Sequence, residues 1–207
     1  MYSKDLFYLI GVIYGDGHIR HGPKSKSDPS LHYGIAIDIS DINFLREEIL
    51  PLFQKFTNTK AQVKIRTFEN RKTRGCLVVS CKKFYKLLTE EIQTHKGPKT
   101  RDIDISPVIK AASMELKKEF IAGYFDTDGG FRGKVIGITT NNKKFQEFFY
   151  QTVTETGIRC SYEKWFNKKY QKDYYGVRIK IGNIDKFLKT YRLRNFEKLA
   201  KIKAKFS

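Results

Sequence analysis

The sequence predicts an α+β protein made of two similar halves, and two observations carry this prediction. A nine-residue pattern occurs twice, as LIGVIYGDG at Leu9–Gly17 and as IAGYFDTDG at Ile121–Gly129, so that Asp16 and Asp128 stand 112 residues apart. Apolar residues at helical and alternating spacings then follow the same order in each half: helix, two strands, helix, two strands, helix. One long internal repeat indicates duplication rather than a solenoid of many repeats.

Each half is expected to begin with a helix that ends at the repeated Asp-Gly. Ser3 and Ser113 are predicted N-caps, and an acid follows each of them in the first helical turn. Glycine is the residue expected directly after such a helix end. Apolar or small residues recur at helical spacing, namely Leu6, Leu9, Ile10 and Ile13 in the first helix and Leu116, Phe120, Gly123 and Tyr124 in the second.

The remaining elements are predicted from periodicity. After the first pattern we expect a strand through Ile35–Ile39, a helix over 42–56, strands over 61–68 and 74–81, and a helix over 82–92. After the second we expect two short strands within 131–140, a helix over 142–156, strands over 158–166 and 174–181, and helices over 184–191 and 196–205. Two prolines between the halves predict a linker at 96–112, which separates a half at 1–95 from a half at 113–207.

The charge balance narrows the class of partner. Forty Lys and Arg face 22 Asp and Glu, a net charge of +18 with neutral histidines. Such an excess favours a polyanionic partner, nucleic acid before an anionic membrane surface. No apolar stretch approaches the ~20 residues that span a bilayer, and three cysteines with four histidines form neither a disulfide framework nor a zinc pattern. We therefore expect an intracellular protein, in the cytoplasm or nucleoid of an archaeon or in an organelle.

The repeated helix carries small residues at a spacing of four. Gly11 and Gly15 share one face of the first helix, and Gly123 and Thr127 occupy the matching positions of the second. Glycine inside a helix costs about 1 kcal/mol relative to alanine, which is reasonable if the two helices pack with their backbones very close together. We expect these four residues to form the helix interface.

Close packing of these helices would bring Asp16 and Asp128 near one another. Two neighbouring carboxylates repel unless they bind a cation or share a proton. Oxygen-only ligands suit Mg²⁺, which also takes phosphate oxygens from a substrate, and metal ions can then activate water for phosphodiester hydrolysis. A single Asp-Gly would indicate only a turn, but two in register in a duplicated, strongly basic chain indicate a catalytic pair.

These residues resemble the LAGLIDADG homing endonucleases. Gly11, Gly15, Asp16 and Gly17 match the motif at its third, seventh, eighth and ninth positions, and Gly123, Asp126, Asp128 and Gly129 match it at the third, sixth, eighth and ninth. The resemblance in element order extends over nearly the whole chain. Two positions depart from the motif: Tyr14 stands in place of its first Asp, and Thr127 in place of a smaller residue.

The resemblance implies a monomer of two αββαββ repeats related by pseudo-twofold symmetry, with the motif helices at the interface and two curved antiparallel sheets that form a DNA-binding saddle. It implies that Asp16 and Asp128, with the backbone carbonyls of Gly15 and Thr127, bind Mg²⁺, for which Mn²⁺ is expected to substitute. The implied products are double-strand breaks in double-stranded DNA with short 3′ overhangs, made across the minor groove. A basic residue near the site is also implied from the end of each half: Lys99 in the first, and Arg192 or Arg194 in the second.

Alternating strands predict the surface that meets DNA, because an antiparallel sheet buried on one face turns every second side chain outward. Outward side chains of this kind can contact base edges in the major groove. Gln62, Lys64 and Arg66 alternate with Val63 and Ile65, and Arg178 and Lys180 alternate with Val177, Ile179 and Ile181. Further candidates on the same surface are His18, Arg20, Asp38, Arg132, Ser161 and Glu163. Trp165 and the tyrosines at 170, 174 and 175 can stack on bases, but packing explains them equally well.

Three rival functions remain open on the sequence. An RNA maturase that assists splicing of its host intron would bind intron RNA, and a regulator on the same fold would bind DNA without cutting it. Retention of both motif acids favours cleavage. An intein endonuclease domain is disfavoured because the chain starts with Met1-Tyr2 and lacks a His-Asn splice junction at its end. A free-standing, intron-encoded endonuclease is the expected function.

Overall fold

The computed structural model describes residues 2–23, 31–68, 71–95 and 104–206. The chain forms two compact units, one made of Met1–Gly15 with Thr100–Ser207 and the other of Asp16–Lys99. The boundary between the units falls near the end of the first helix, α1 (Lys4–Asp16). In the described residues, no helix has both the length and the apolar character needed to cross a membrane.

The unit Asp16–Lys99 contains an antiparallel sheet of four strands, β1 (Gly17–Pro23), β2 (Leu31–Ile39), β3 (Val63–Phe68) and β4 (Arg71–Ser80), in the order β1-β2-β4-β3. Between β2 and β3 lies a continuous helical run of α2 (Ile42–Phe44), a π-helical turn (Leu45–Ile49) and α3 (Leu50–Thr57). After β4 come α4 (Lys82–Lys86) and a second π-helical turn (Leu87–Glu91). The inward side chains of β2 and β4, such as Ile35, Ile37 and Leu77, are buried.

The other unit contains α1, α5 (Pro107–Ala111), the second motif helix α6 (Met114–Asp128), and α7 (Lys143–Glu155). Its sheet consists of β5 (Gly130–Arg132), β6 (Val135–Thr140), β7 (Cys160–Asn167) and β8 (Lys172–Lys180), again antiparallel and in the order β5-β6-β8-β7. A 3₁₀ turn (Ile181–Asn183), α8 (Ile184–Thr190) and α9 (Phe196–Phe206) complete the chain. The two sheets therefore repeat one strand order, and the predicted α+β class with two similar halves is confirmed.

The two motif helices touch through their backbones at the predicted glycines. A Cβ atom at Gly11 would overlap the carbonyl oxygen of Phe120, so no larger residue fits there. A Cβ atom at Gly123 would likewise overlap the carbonyl oxygen of Tyr8. Because Gly123 and Phe120 stand 112 residues after Gly11 and Tyr8, the contact is reciprocal and has local twofold pseudosymmetry. The predicted helix interface is therefore present within one compact unit.

Local side-chain chemistry accounts for several element ends. The Ser3 hydroxyl accepts a hydrogen bond from the Leu6 amide at 3.2 Å, as predicted for an N-cap. Ser113 is the N-cap residue of α6, as predicted, but its side chain makes no such bond; its backbone carbonyl accepts from the Leu116 and Lys117 amides. Gly129 ends α6 in an extended conformation rather than the left-handed one, and it is glycine for another reason: a Cβ there would overlap the carbonyl oxygen of Phe125.

Two residues of the predicted core faces are not buried. Ile65 is 53% exposed because β3 is the edge strand of its sheet and has a neighbour on one side only. Ile181 is 52% exposed because β8 ends one residue earlier, and the 3₁₀ turn that follows breaks the alternation. Val177 and Ile179, the other predicted inward residues of this strand, are fully buried. The division into 1–95, 96–112 and 113–207 remains a prediction, and α5 lies within the segment predicted as the linker.

Substitution of Gly11 by alanine tests the helix contact. A methyl group that overlaps a backbone oxygen forces the helices apart, and overpacking of this kind costs about 1–3 kcal/mol, more than the ~1 kcal/mol that alanine normally gains in a helix. With both effects acting, Gly11→Ala should lower the free energy of unfolding in urea by about 1 kcal/mol, the middle of the overpacking range less the gain from alanine. Gly182→Ala is the control, because a Cβ there meets nothing within 4 Å. A Gly11→Ala protein as stable as the wild type would contradict the contact.

Candidate functional site

The two acids of the repeated pattern end the two motif helices. Asp16 is half-buried at the end of α1, and Asp128 is exposed at the end of α6. The residues directly before them are in contact, because a Cβ atom at Gly15 would overlap the Thr127 hydroxyl. That hydroxyl turns back along its own helix and donates to the Tyr124 carbonyl at 2.8 Å. The glycine therefore provides the space that the larger Thr127 fills, and the departure from the motif leaves the helices in contact.

Lys198, on α9, caps the C-terminal end of α6. Its Nζ donates to the carbonyl oxygens of Phe125 at 2.8 Å, Thr127 at 3.1 Å and Gly129 at 2.7 Å. These carbonyls lie at the negative end of the helix dipole, where a cation is stabilising. One ammonium group thus fixes the backbone on both sides of Asp128. Sequence reasoning missed Lys198 because no motif marks it and its partners lie about seventy residues away in the chain.

A buried carboxyl group joins the motif helices to the loop before α9. Asp126 is 1% exposed, and its Oδ2 accepts the Tyr8 hydroxyl at 2.6 Å and the Arg194 amide at 2.6 Å. Burial raises the pKa of Asp126 to about 6, while the hydrogen bonds from Tyr8 and Arg194 and the charge of Lys198 act in the opposite direction. The sequence placed Asp126 in the motif but gave no sign of these partners.

The basic residues predicted near the site have different surroundings. The Arg194 guanidinium lies 2.9 Å from Asp5 and 3.6 Å from Glu119, and its carbon is 4.1 Å from the centre of the Tyr8 ring. These contacts hold the guanidinium against α1 and α6. Arg192 is exposed on the loop before α9, and the predicted Lys99 lies outside the described residues.

The candidate DNA-contacting residues of the unit Asp16–Lys99 lie together on the outer face of its sheet. Asp38 is opposite Cys76 on β4, which in turn is opposite Lys64 on β3, so the three share a face. Arg66 is on this face too, 3.9 Å from Asp38. His18 and Arg20, opposite Ala36 and Gly34 on β2, are on this face as well, and the Arg20 Nε donates to His18. Gln62, predicted for the same face, is exposed but precedes β3, which begins at Val63. This face is predominantly charged and polar.

The candidates of the other unit also share one sheet face. Ser161 is opposite Arg178, and Arg132 is opposite Val135, which is opposite Lys180. Glu163 is on the same face, with an oxygen 3.6 Å from the Arg178 Nε. The face contains a groove of about 430 Å³ that Asp128 and Arg132 line at one side. The second motif acid therefore borders the predicted DNA surface of its own unit.

The donor chemistry fits a divalent metal in part. Asp16 and Asp128 offer carboxylate oxygens, the ligands that Mg²⁺ prefers. The Thr127 carbonyl, a further predicted ligand, already accepts from the Lys198 ammonium, so a metal would have to use its second lone pair. In the described parts of the chain, no cluster of three or more His, Cys, Asp or Glu side chains has the geometry of a metal site. Any metal here must complete its coordination with backbone, water or substrate oxygens.

Comparisons with known proteins agree with this geometry. Residues 115–201 match the family model of the LAGLIDADG-like domain. At the level of sequence, no curated protein matches the chain. The resemblance predicted from the two motifs is confirmed by this domain match and by the solved structures that share the fold.

Two homing endonucleases have the same fold. The crystal structure of I-DmoI in complex with DNA and Mn aligns with a TM-score of 0.68 and 22% identity, over 91% of this chain and 96% of that one. I-WcaI bound to its DNA recognition sequence aligns with a TM-score of 0.64 and 19% identity, over 99% of this chain and 87% of that one. Full-length DUF199/WhiA from Thermatoga maritima aligns with a TM-score of 0.58 and 14% identity, over 100% of this chain but only 62% of that one. The LAGLIDADG-like fold therefore extends over both halves of this protein.

Removal of the Tyr8 hydroxyl tests the buried network. A hydrogen bond to a charged group contributes about 1.5–3 kcal/mol, so Tyr8→Phe should lower the free energy of unfolding at pH 7.5 by about 2 kcal/mol. Tyr162→Phe is a matched control, because its buried hydroxyl has no hydrogen-bond partner among the described residues. Urea denaturation of both variants measures the difference. Equal losses for the two would mean that the bond to Asp126 contributes nothing.

Lys198→Met tests whether Lys198 stabilises the C-terminal end of α6. The substitution keeps the aliphatic stem but removes the charge that satisfies three carbonyl groups, so we expect a loss of about 2–3 kcal/mol in the free energy of unfolding. Lys201→Met, on the same helix, removes only an exposed ion pair with Glu197 and should change stability little. If both substitutions had the same small effect, the three hydrogen bonds would not stabilise the helix end.

Proposed function

We propose that the protein is a site-specific, intron-encoded DNA endonuclease that makes a metal-dependent double-strand break with short 3′ overhangs in a long asymmetric target. The observation that carries the proposal is the contact of Gly15 with Thr127, the residues directly before Asp16 and Asp128. Each acid directly follows, in the chain, one of the two residues of this contact. In this proposal the halves 1–95 and 113–207, joined by the linker 96–112, contribute one acid each.

The proposed chemistry divides among residues of the chain. Asp16 and Asp128, with the carbonyls of Gly15 and Thr127, would hold Mg²⁺ or Mn²⁺. When bound, a divalent cation supplies the charge that activates water and stabilises the leaving oxygen. Lys198 keeps the carbonyls on either side of Asp128 in fixed positions, and we infer that it is the positioning residue of this half in place of Arg194, whose guanidinium is held by Asp5 and Glu119.

Double-stranded DNA is the proposed substrate. The net charge of +18 supplies attraction to phosphates, and the outer face of each sheet carries the basic and polar side chains named above. Solved structures of I-DmoI with DNA in the presence of Mn, Mg or Ca give the fold a precedent for DNA and divalent cations. We propose that the protein acts on its target as a monomer.

A selection from randomised duplex DNA tests the proposal. The wild type with Mg²⁺ should cut a single long motif, and EDTA should abolish the cuts. Asp16→Asn and Asp128→Asn should each slow cleavage by about a thousandfold or more, because the metal contributes several kcal/mol to transition-state stabilisation. Both variants should still bind the same motif.

Asp185→Asn is the matched control, an acid-to-amide change at the start of α8, and should cut at the wild-type rate. Tight sequence-specific binding without cleavage by the wild type would mean a regulator. Preference for host intron RNA over every duplex would mean a maturase. Either outcome would overturn the proposal.

A further inference from the structure

The groove beside Asp128 differs in chemistry from the other candidate DNA surface. Its lining comes from β5, from the outer faces of β6, β7 and β8, and from the turn between β7 and β8. Small and aromatic side chains dominate, in contrast to the charged face of the other sheet. The residues that matter most are Val135, Gly137, Thr139, Trp165, Tyr170 and Tyr174.

Two polar side chains of the groove, Arg178 and Asn167, are bonded to the protein. The Arg178 guanidinium donates to the Ile138 carbonyl at 2.9 Å and to the Thr139 hydroxyl at 2.7 Å. Its side chain is only 15% exposed, so it lies along the sheet instead of projecting from it. In the turn, the side-chain oxygen of Asn167 accepts from the amides of Lys169 and Tyr170 at 3.1 and 3.3 Å. What remains for a ligand is the small and aromatic side chains, beside the charged Asp128 and Arg132 and the hydroxyls of Tyr170 and Tyr174.

Trp165 has two neighbours in the groove, the Tyr174 ring and the Arg178 guanidinium. Trp165 and Tyr174 are nearly parallel, at an interplanar angle of 19° and a centroid distance of 6.1 Å. The Arg178 guanidinium lies 5.7 Å from the Trp165 centroid, in space that Gly176 leaves open: a Cβ there would lie 2.9 Å from the guanidinium. Stacking on an unpaired base requires a free ring face. This arrangement favours contact with small apolar groups over the stacking of RNA bases.

We propose that the groove recognises the C5-methyl groups of thymines in the major groove of the DNA half-target next to Asp128. The inference rests on the proposed function and specifies which base this part of the DNA-binding surface recognises. Thymine is the base that presents an apolar group in the major groove. Arg132 borders the groove and Lys180 lies on the same sheet face, so cationic side chains can meet the phosphates on either side. Trp165, Tyr170 and Tyr174 are then specificity-determining residues.

The dimensions limit how many thymines are read. The lined part of β6, from Val135 to Thr139, extends roughly 13 Å at about 3.3 Å per residue. That length corresponds to about four base pairs at 3.4 Å each. Loss of one buried methyl contact is expected to weaken binding about fourfold.

Replacement of thymine by deoxyuridine tests the inference, because it removes only the methyl group. Each thymine of the selected target is replaced in turn, and the dissociation constant is measured from the fluorescence of Trp165, the single tryptophan of the chain. We expect up to about four sensitive positions, all on one side of the cut, each with about fourfold weaker binding.

A variant tests whether the groove is what recognises the thymine methyl groups. Tyr170→Ser removes an aromatic side chain that is 54% exposed, and it should abolish the difference between thymine and deoxyuridine at one or more of the sensitive positions. Phe166→Ser is the matched control, since Phe166 is 55% exposed on β7 and does not line the groove. It should keep the wild-type pattern.

The outcomes separate this inference from the proposed function. A target that is bound and cut but tolerates deoxyuridine everywhere overturns the inference alone, as does full sensitivity in Tyr170→Ser. Failure of the wild type to bind any specific duplex overturns the proposed function and the inference together. A change in Trp165 fluorescence with intron RNA but not with duplex DNA would have the same meaning.

Discussion

The backbone contact between α1 and α6 is the constraint on which the rest of the structure depends. At Gly11 and Gly123 the neighbouring helix leaves no room for even one carbon atom. Many dispersion contacts form at such short range, and close packing leaves the two helices little freedom to move relative to each other. The contact is reciprocal because the two helices carry the same pattern, so a duplicated sequence produces its own partner surface.

This constraint determines what the ends of the helices can do. Thr127 replaces the small residue expected at its position, and Gly15 opposite it absorbs the extra volume. Lys198 then holds the carbonyls at the end of α6, and the buried carboxyl of Asp126 joins α6 to Tyr8 on α1. The exposed Asp128 carboxylate is therefore attached to a rigid helix end. A site that binds its ligand through charged oxygens needs them held in fixed positions.

Duplication also gave the protein two sheets with one strand order and two different outer faces. The face with Asp38, Lys64 and Arg66 offers charges and hydrogen-bonding groups. The face with Trp165 and Tyr174 offers aromatic edges, and its Arg178 is bonded back to the sheet. A common backbone thus carries two surfaces of different chemistry, since the fold alone does not specify what is bound.

The sequence by itself determined the element order, the halves and the small residues of the helix interface, because periodicity and residue size act locally. It also singled out Asp16 and Asp128. Only the tertiary structure decided that Ile65 lies exposed at a sheet edge and that Lys198 closes α6. The role of Lys198 depends on carbonyl groups far away in the chain, and the exposure of Ile65 depends on the position of its strand at the edge of the sheet. Periodicity carries no information about such neighbours.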